Sequence, residues 1–295
     1  MAALHGEKIL EQAEHVTERY GISTGYDPLD NFLRGGGLLP GLLYTIGGRP
    51  GIGKSQFILN ILLNMAQAKI PVALFSLELS KERVLKRLAY MIAGIDYLEH
   101  WQKKIEMSKR ELKAIEEAIY LLQSLPIYIR DTVRLRPNQV RETMEQEQAL
   151  GVQVIAIDYL HIMAPDGTQY GRERQIGATV EAVRDYSKDL NMACLLACQL
   201  NREVEEHAPY IPKLSNFRDS GAIEQVSFCV MGLYRQDYYS QAGMFNADEH
   251  DYIEWTPDGQ PVLNKRMDVF ILKNQDGQSG KASLNFDAPT GRINQ

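Results

Sequence analysis

Apolar residues in this chain fall into two rhythms that alternate for most of its length. Short runs rich in Val, Ile and Leu read as strands: "LLYTIG" (42–47), "PVALFSLE" (71–78), "PIYIRD" (126–131), "VQVIAID" (152–158), "MACLLACQL" (192–200), "SFCVMGLY" (227–234), "DVFILK" (268–273) and "ASLNF" (282–286). They are largely continuous rather than alternating, which marks strands covered on both faces, as in a parallel sheet. Helical periodicity lies between them over 55–68, 80–94, 108–124, 137–149 and 174–190. Ser108 and Glu111 form a capping box at the start of the third helix. The order βαβαβ, closing with the strand-dense stretch 227–286, predicts an α/β fold: a twisted, mostly parallel sheet flanked by helices, with a C-terminal antiparallel edge.

Residues 7–18, "EKILEQAEHVTE", stand outside this alternation. Ile9, Leu10, Ala13 and Val16 make one helical stripe before the glycine-containing "RYGISTGYDPLD". Such a stripe needs a cover, either its own domain or a neighbouring subunit. The expected division is a helix within residues 1–20 and one domain over 21–295.

Composition narrows the class. With 295 residues, 44% hydrophobic and 24% charged, the chain can bury a full core. A net charge of −6 disfavours a protein that wraps nucleic acid over its whole surface, but allows basic residues confined to one lining. Three cysteines, Cys194, Cys198 and Cys229, lie in apolar runs without paired metal spacing and read as buried thiols in a reducing compartment. There is no signal-peptide core, and no stretch approaches the roughly 18 apolar residues of a membrane span. A cytoplasmic protein with no membrane contact is expected.

One stretch departs from both rhythms. Gly48-Arg49-Pro50-Gly51-Ile52-Gly53-Lys54-Ser55 fits G-x-x-x-x-G-K-[ST] between a predicted strand and a predicted helix. Its glycines let backbone N–H groups turn inward around phosphate oxygens, and the helix adds its positive N-terminal end. Lys54 is placed to reach the β- and γ-phosphates, and Ser55 to offer a hydroxyl to Mg²⁺. ATP with Mg²⁺ is the expected ligand, touched by residues 48–55 and by the next residue, Gln56.

Three strand ends supply further chemistry. Asp158 closes "VIAID" and is a candidate Mg²⁺ ligand opposite Ser55, or else a cap for the following loop. Glu78, in "LFSLELS", is a candidate base for an attacking water, or else a solvated strand-end charge. Gln199 ends "CLLACQ", where a neutral amide can sense a γ-phosphate.

Taken in order, "GRPGIGKS", "FSLELS", "VIAIDYLHIM", "CQLNREVE" and "FRDSGAIEQ" resemble the successive motifs of the DnaB-type replicative helicases, a likeness that runs over residues 21–286. The resemblance implies a RecA-like ATPase core, assembled as a six-membered ring around single-stranded DNA with ATP between subunits. It implies a linker helix docked on the adjacent subunit, which suits residues 7–18. It gives Lys54 and Ser55 the phosphate and Mg²⁺, Glu78 the water, Asp158 the metal and Gln199 the sensing of nucleotide, and it makes a loader or primase an expected partner. Three departures stand out. The family's separate N-terminal helical domain is not in this sequence. Residues 236–267 are longer and more acidic than expected. The family's late-strand Lys-x-Arg-x-Gly reads Lys273-Asn274-Gln275-Asp276-Gly277, so a glutamine stands where an arginine would reach a neighbour's ATP. Lys273 is the nearest substitute charge, with Arg235 and Arg266 as alternatives.

Two loops follow the Asp158 and Gln199 strands, and Arg172, Arg174, Arg202, Lys213 and Arg218 are their candidates for DNA phosphates. Ordinary solvated loop charge is the competing reading, and Glu203, Glu205 and Glu206 lie close by. The function these features point to is an ATP-driven DNA helicase or translocase. Alternatives are a recombinase-like or clock-type RecA-fold ATPase, and a loading or assembly factor that binds ATP without processive unwinding.

Overall fold

The structure, a computed structural model, describes residues 20–101, 105–131, 137–158, 172–206, 209–217, 220–241 and 265–295. The apolar stripe at 7–18, Arg218 and most of 236–267 lie outside the described residues. In chain order the elements are α1 (Asp27–Asp30), β1 (Leu43–Gly48), α2 (Lys54–Gln67), β2 (Val72–Ser76), α3 (Lys81–Ala93), α4 (Tyr97–Trp101), α5 (Lys109–Ser124) and β3 (Ile127–Arg130). Then follow α6 (Pro137–Ala149), β4 (Val154–Asp158), α7 (Arg172–Asp189), β5 (Ala193–Gln199), α8 (Ser220–Val226), β6 (Cys229–Tyr234), α9 (Gln236–Gln241), β7 (Arg266–Asn274), β8 (Gly280–Asp287) and β9 (Arg292–Asn294).

Among the described residues the strands form one sheet in the order β3-β2-β4-β5-β1-β6-β7-β8-β9. Strands β3 to β6 pair in parallel, and β7, β8 and β9 add an antiparallel edge. The continuous apolar runs now have their cause. In β5, Ala193, Leu195 and Ala197 face a core shared with Phe57 and Leu62 of α2 and Leu88 of α3. The residues between them, Cys194, Leu196 and Cys198, face a second core with Val140 and Met144 of α6 and Val180 of α7. With both faces covered, every position must be apolar. All three cysteines are buried.

The capping box is present: Ser108 N donates to the Glu111 carboxylate at 2.7 Å, and Glu111 N to the Ser108 hydroxyl at 3.3 Å. Four helices escape the periodicity because they run only four to seven residues, as does the three-residue β9. Strand β9 is anchored to α2 by side-chain amides. Asn60 Oδ1 accepts from Ile293 N at 3.0 Å, and Asn60 Nδ2 and Gln56 Nε2 donate to the Gly291 carbonyl at 2.9 and 2.8 Å. Among the described residues no helix is long and apolar enough to cross a membrane.

Order in β1 matters because the parallel register sets Gly48 beside Gln199 of β5, as it sets Ser76 of β2 beside Asp158 of β4. At Gly47 the chain makes a close approach: a Cβ there would lie 2.4 Å from the Phe217 ring and 2.8 Å from Leu200. Phe217 is buried, so the ring has nowhere to retreat. Gly47→Ala is therefore expected to cost about 1–3 kcal/mol of stability through overpacking. Adding Phe217→Leu should recover part of that loss, and urea denaturation of the single and double variants checks both.

Candidate functional site

The loop between β1 and α2 wraps tightly because its glycines take backbone angles closed to other residues. Gly51 and Gly53 have φ of +80° and +108°, and Gly53 is the N-cap of the 14-residue α2. The unpaired N–H groups at that helix start form an anion-binding end. Side chains hold the loop from several directions. Lys54 Nζ donates to the carbonyls of Gly48 at 2.8 Å and Arg49 at 3.1 Å. The Tyr238 hydroxyl donates to Pro50 O at 2.9 Å, and Arg235 Nη1 to Ile52 O at 3.3 Å. Arg235 is itself gripped by Asp237 and lies over the Phe286 ring at 4.3 Å.

Beside this loop the carboxyl ends of β2, β4 and β5 deliver the other groups. Asp158 is 4% exposed, its side chain hydrogen-bonds Ser55, and its Oδ1 has no partner. Burial raises its pKa; the Ser55 bond and the charges of Lys54 and Arg87 lower it, and Glu78 pushes it up again. Burial likewise lowers the pKa of Lys54, against the pull of the Asp158 and Glu78 carboxylates. A buried carboxylate oxygen without a donor, next to a serine hydroxyl, is hard-oxygen chemistry that fits Mg²⁺.

Strand β2 stops at Ser76, two residues short of Glu78, which is exposed on the following turn. That turn is fastened rather than free: Ser76 Oγ donates to Leu79 O at 2.6 Å, and Leu77 N donates to the Asp158 carbonyl at 2.8 Å. The residue that carries Glu78 is thus built onto the strand that ends in Asp158. Gln199 lies half-buried beside Gly48. Lys54, Ser55, Glu78, Asp158 and Gln199 therefore share one edge of the sheet, the crevice where open parallel sheets take ligands.

Other candidates are placed differently. The guanidinium of Arg49 forks onto Glu205, so this position joins the loop through its backbone. Gln56 directs its amide to Gly291, away from a role in the loop itself. Lys273 donates to the carbonyls of Glu224 and Ser227, closing the C-terminal end of α8 rather than offering a free charge. Gln275 is exposed in the β7–β8 turn, next to the Arg34–Asp276 pair. Arg202 and Lys213 are exposed, and Arg172 and Arg174 fall in the first turn of α7. Ser76, Arg87 and Tyr238 were not found from motif spacing, and Arg235, expected as an alternative charge toward a neighbour's ATP, lies beside the loop of its own chain. The one available signal was the polar Ser76 closing an apolar strand.

A phosphate loop on the central strand, with an acid two strands away at the same edge, makes this a phosphate-loop protein of RecA-like architecture. A sequence profile of the DnaB-like helicase C terminal domain matches residues 21–295, and the chain belongs to that family. It is 30% identical to the replicative DNA helicase DnaB of Rickettsia typhi over 95% of this chain and 57% of that protein. It is 27% identical to the one from Pasteurella multocida over 97% of this chain and 58% of that protein. The chain thus spans just over half the length of these relatives. A solved ATPase domain superposes with a TM-score of 0.87 at 25% identity, covering 100% of this chain and 98% of that one. A DnaB-like replicative helicase, solved with a view to its interactions with primase, shares the fold at a TM-score of 0.84 and 24% identity, over 98% of this chain and 66% of that one.

The electrostatics of Asp158 give a test of their own. A carboxyl whose pKa is raised on folding makes the folded state hold more protons than the unfolded one. Stability then falls as pH rises from the ordinary value of 3.8 through the folded value. Asp158→Asn should flatten that fall and raise the melting temperature at neutral pH, while removing any stabilisation by added Mg²⁺ with nucleotide. Thermal melts of both proteins across pH, with and without Mg²⁺-nucleotide, check the two effects together.

Proposed function

We propose that this chain is the ATP-hydrolysing motor of a replicative DNA helicase, working as a homo-hexameric ring on single-stranded DNA in the cytoplasm. The observation that carries the reading is Asp158, buried beside Ser55 with one oxygen unpartnered, on the same sheet edge as Lys54 and Glu78. Lys54 gives up its loop carbonyls to meet the β- and γ-phosphates, and Ser55 and Asp158 hold Mg²⁺. The metal supplies neutralisation of the charge that develops on the phosphates. Glu78, on its fastened turn, takes the proton of the attacking water. Gln199 registers the γ-phosphate at the base of the segment that carries Arg202 and Lys213, the described candidates for DNA phosphates. Residues 7–18 serve as the clasp on the next subunit, and a loader or primase is the expected partner of the assembled ring. Membership of the DnaB-like helicase family over residues 21–295 supports the helicase part of this reading.

Binding and chemistry separate in two variants. Lys54→Ala should weaken ATP binding by about 10–150-fold, the worth of one charge-assisted hydrogen bond. Glu78→Gln should keep ATP affinity while hydrolysis falls on the order of 10²–10⁴-fold. Isothermal titration and steady-state ATPase assays, each with and without oligo(dT), decide the matter. Hydrolysis by Glu78→Gln at the parent rate would remove the base, and absence of DNA stimulation in the parent would remove the motor.

A second reading, a loading or assembly factor with slow turnover, is favoured by Gln275 and by the engagement of Lys273 with α8. A trans arginine is worth about 10³–10⁵ in rate in related phosphoryl transfers. Gln275→Arg should therefore raise kcat by on the order of tenfold or more with little change in ATP affinity. The measurement is kcat under conditions where both proteins are assembled. An unchanged or lower value would assign the role to another residue.

A further inference from the structure

One guanidinium laces the phosphate loop to the segment after β5. Arg49, 8% exposed, donates Nε to Glu205 Oε1 at 2.6 Å and Nη2 to Oε2 at 3.0 Å, fork onto fork, and Nη1 to the Leu200 carbonyl at 2.8 Å. The two side chains are 10% and 17% exposed, so solvent and salt screen the pair weakly. Leu200 N in turn donates to the Gly48 carbonyl at 3.3 Å. Glu205 closes the single 3-10 turn that opens at Arg202. The segment has a pinned neck: Leu200 bridges to Phe217, and Asn201 N donates to Asn216 O at 2.8 Å. Arg202 and Lys213 lie exposed between those pins.

The same two loop residues meet Lys54. Its ammonium donates to the carbonyls of Gly48 and Arg49. Gly48 is the residue whose carbonyl also receives Leu200 N, and Arg49 is the residue whose side chain grips Glu205. A phosphate that draws Lys54 away therefore removes one of two donors from each carbonyl, leaving Leu200 N on Gly48 and Ile52 N on Arg49. The Gly48 carbonyl and the Arg49 side chain are both tied to the 200–205 segment. Interactions of this kind have discrete arrangements, because a planar bidentate fork tolerates little sliding.

We infer that Glu205 is a positioning residue that acts through Arg49, passing the occupancy of the phosphate loop to the segment that carries Arg202 and Lys213. This rests on the nucleotide reading above. Coupling between sites is reciprocal: a nucleotide that favours one placement of the segment raises affinity for the segment's ligand by the same factor that the ligand raises affinity for nucleotide.

Hydrogen exchange on the full chain tests the link, with Mg²⁺ and a non-hydrolysable ATP analogue as the probe. In the parent, exchange should change at residues 47–55 and also at 200–206. In Glu205→Gln, which keeps the volume and loses the charge, protection at 47–55 should remain while the response at 200–206 falls about fivefold or more, the low end of ordinary coupling between sites. Oligo(dT) and the analogue, each titrated in the presence of the other, should lose their mutual enhancement by the same factor. A purely structural role would lower stability or both affinities and leave that enhancement untouched. Should Glu205→Gln fail to fold, Glu205→Asp, which keeps the charge and shortens the reach to the fork, is read in the same way. Protection at 47–55 with no response at 200–206 in the parent, or an intact response in both variants, overturns the coupling. No protection at 47–55 in the parent overturns the nucleotide reading, and the coupling with it.

Discussion

A sheet whose central strands are dry on both faces has almost nowhere to put a charge. Along β2, β4 and β5 each side chain up to the last position enters one of two apolar cores, so polar groups collect where the strands end. Parallel pairing then aligns those ends, because the register that sets Ser76 beside Asp158 also sets Gly48 beside Gln199. The loop of β1, the acid of β4 and the amide of β5 are neighbours for that reason. Their proximity is a consequence of how the core is covered.

The same arrangement loads the edge with opposed costs. Lys54 and Asp158 each lose water, and burial moves the pKa of each toward its neutral form. Mutual attraction and the Ser55 hydroxyl offset part of this, but one Asp158 oxygen stays unmatched. A site in this condition is poised for a ligand that brings both negative phosphate and a hard cation, since together they supply the missing partners on both sides.

Much of this was legible in the order of residues. Continuous apolar runs marked the doubly covered strands, and the glycine spacing marked the loop, because each depends only on near neighbours. Boundaries were less legible. "LFSLE" reads as strand through Glu78, yet β2 ends at Ser76 because that hydroxyl captures Leu79 and starts a turn. Roles set by distant partners were not legible at all. Arg49 meets Glu205 across 156 positions, and Lys273 meets Glu224 across 49. Motif spacing placed Arg49 in the phosphate loop, and the family resemblance offered Lys273 as a substitute charge. Neither could show that Arg49 also grips Glu205 or that Lys273 also holds the end of a short helix.

Strand β9 has a consequence for the order in which the molecule can be completed. Gln56 and Asn60 sit on the first turns of the helix that follows the phosphate loop, yet the carbonyl they hold belongs to Gly291, 235 and 231 positions further on. At about 5–20 residues per second, a ribosome needs roughly 12–47 seconds to add that much chain. Through that interval the Gly291 carbonyl that both amides hold in the folded chain does not yet exist, and Asn60 Nδ2 has only the Gln56 carbonyl of its own helix, although β5 and β6 are made partway through. The contact that fastens the start of α2 to the chain before β9 is thus among the last of the described contacts to become available.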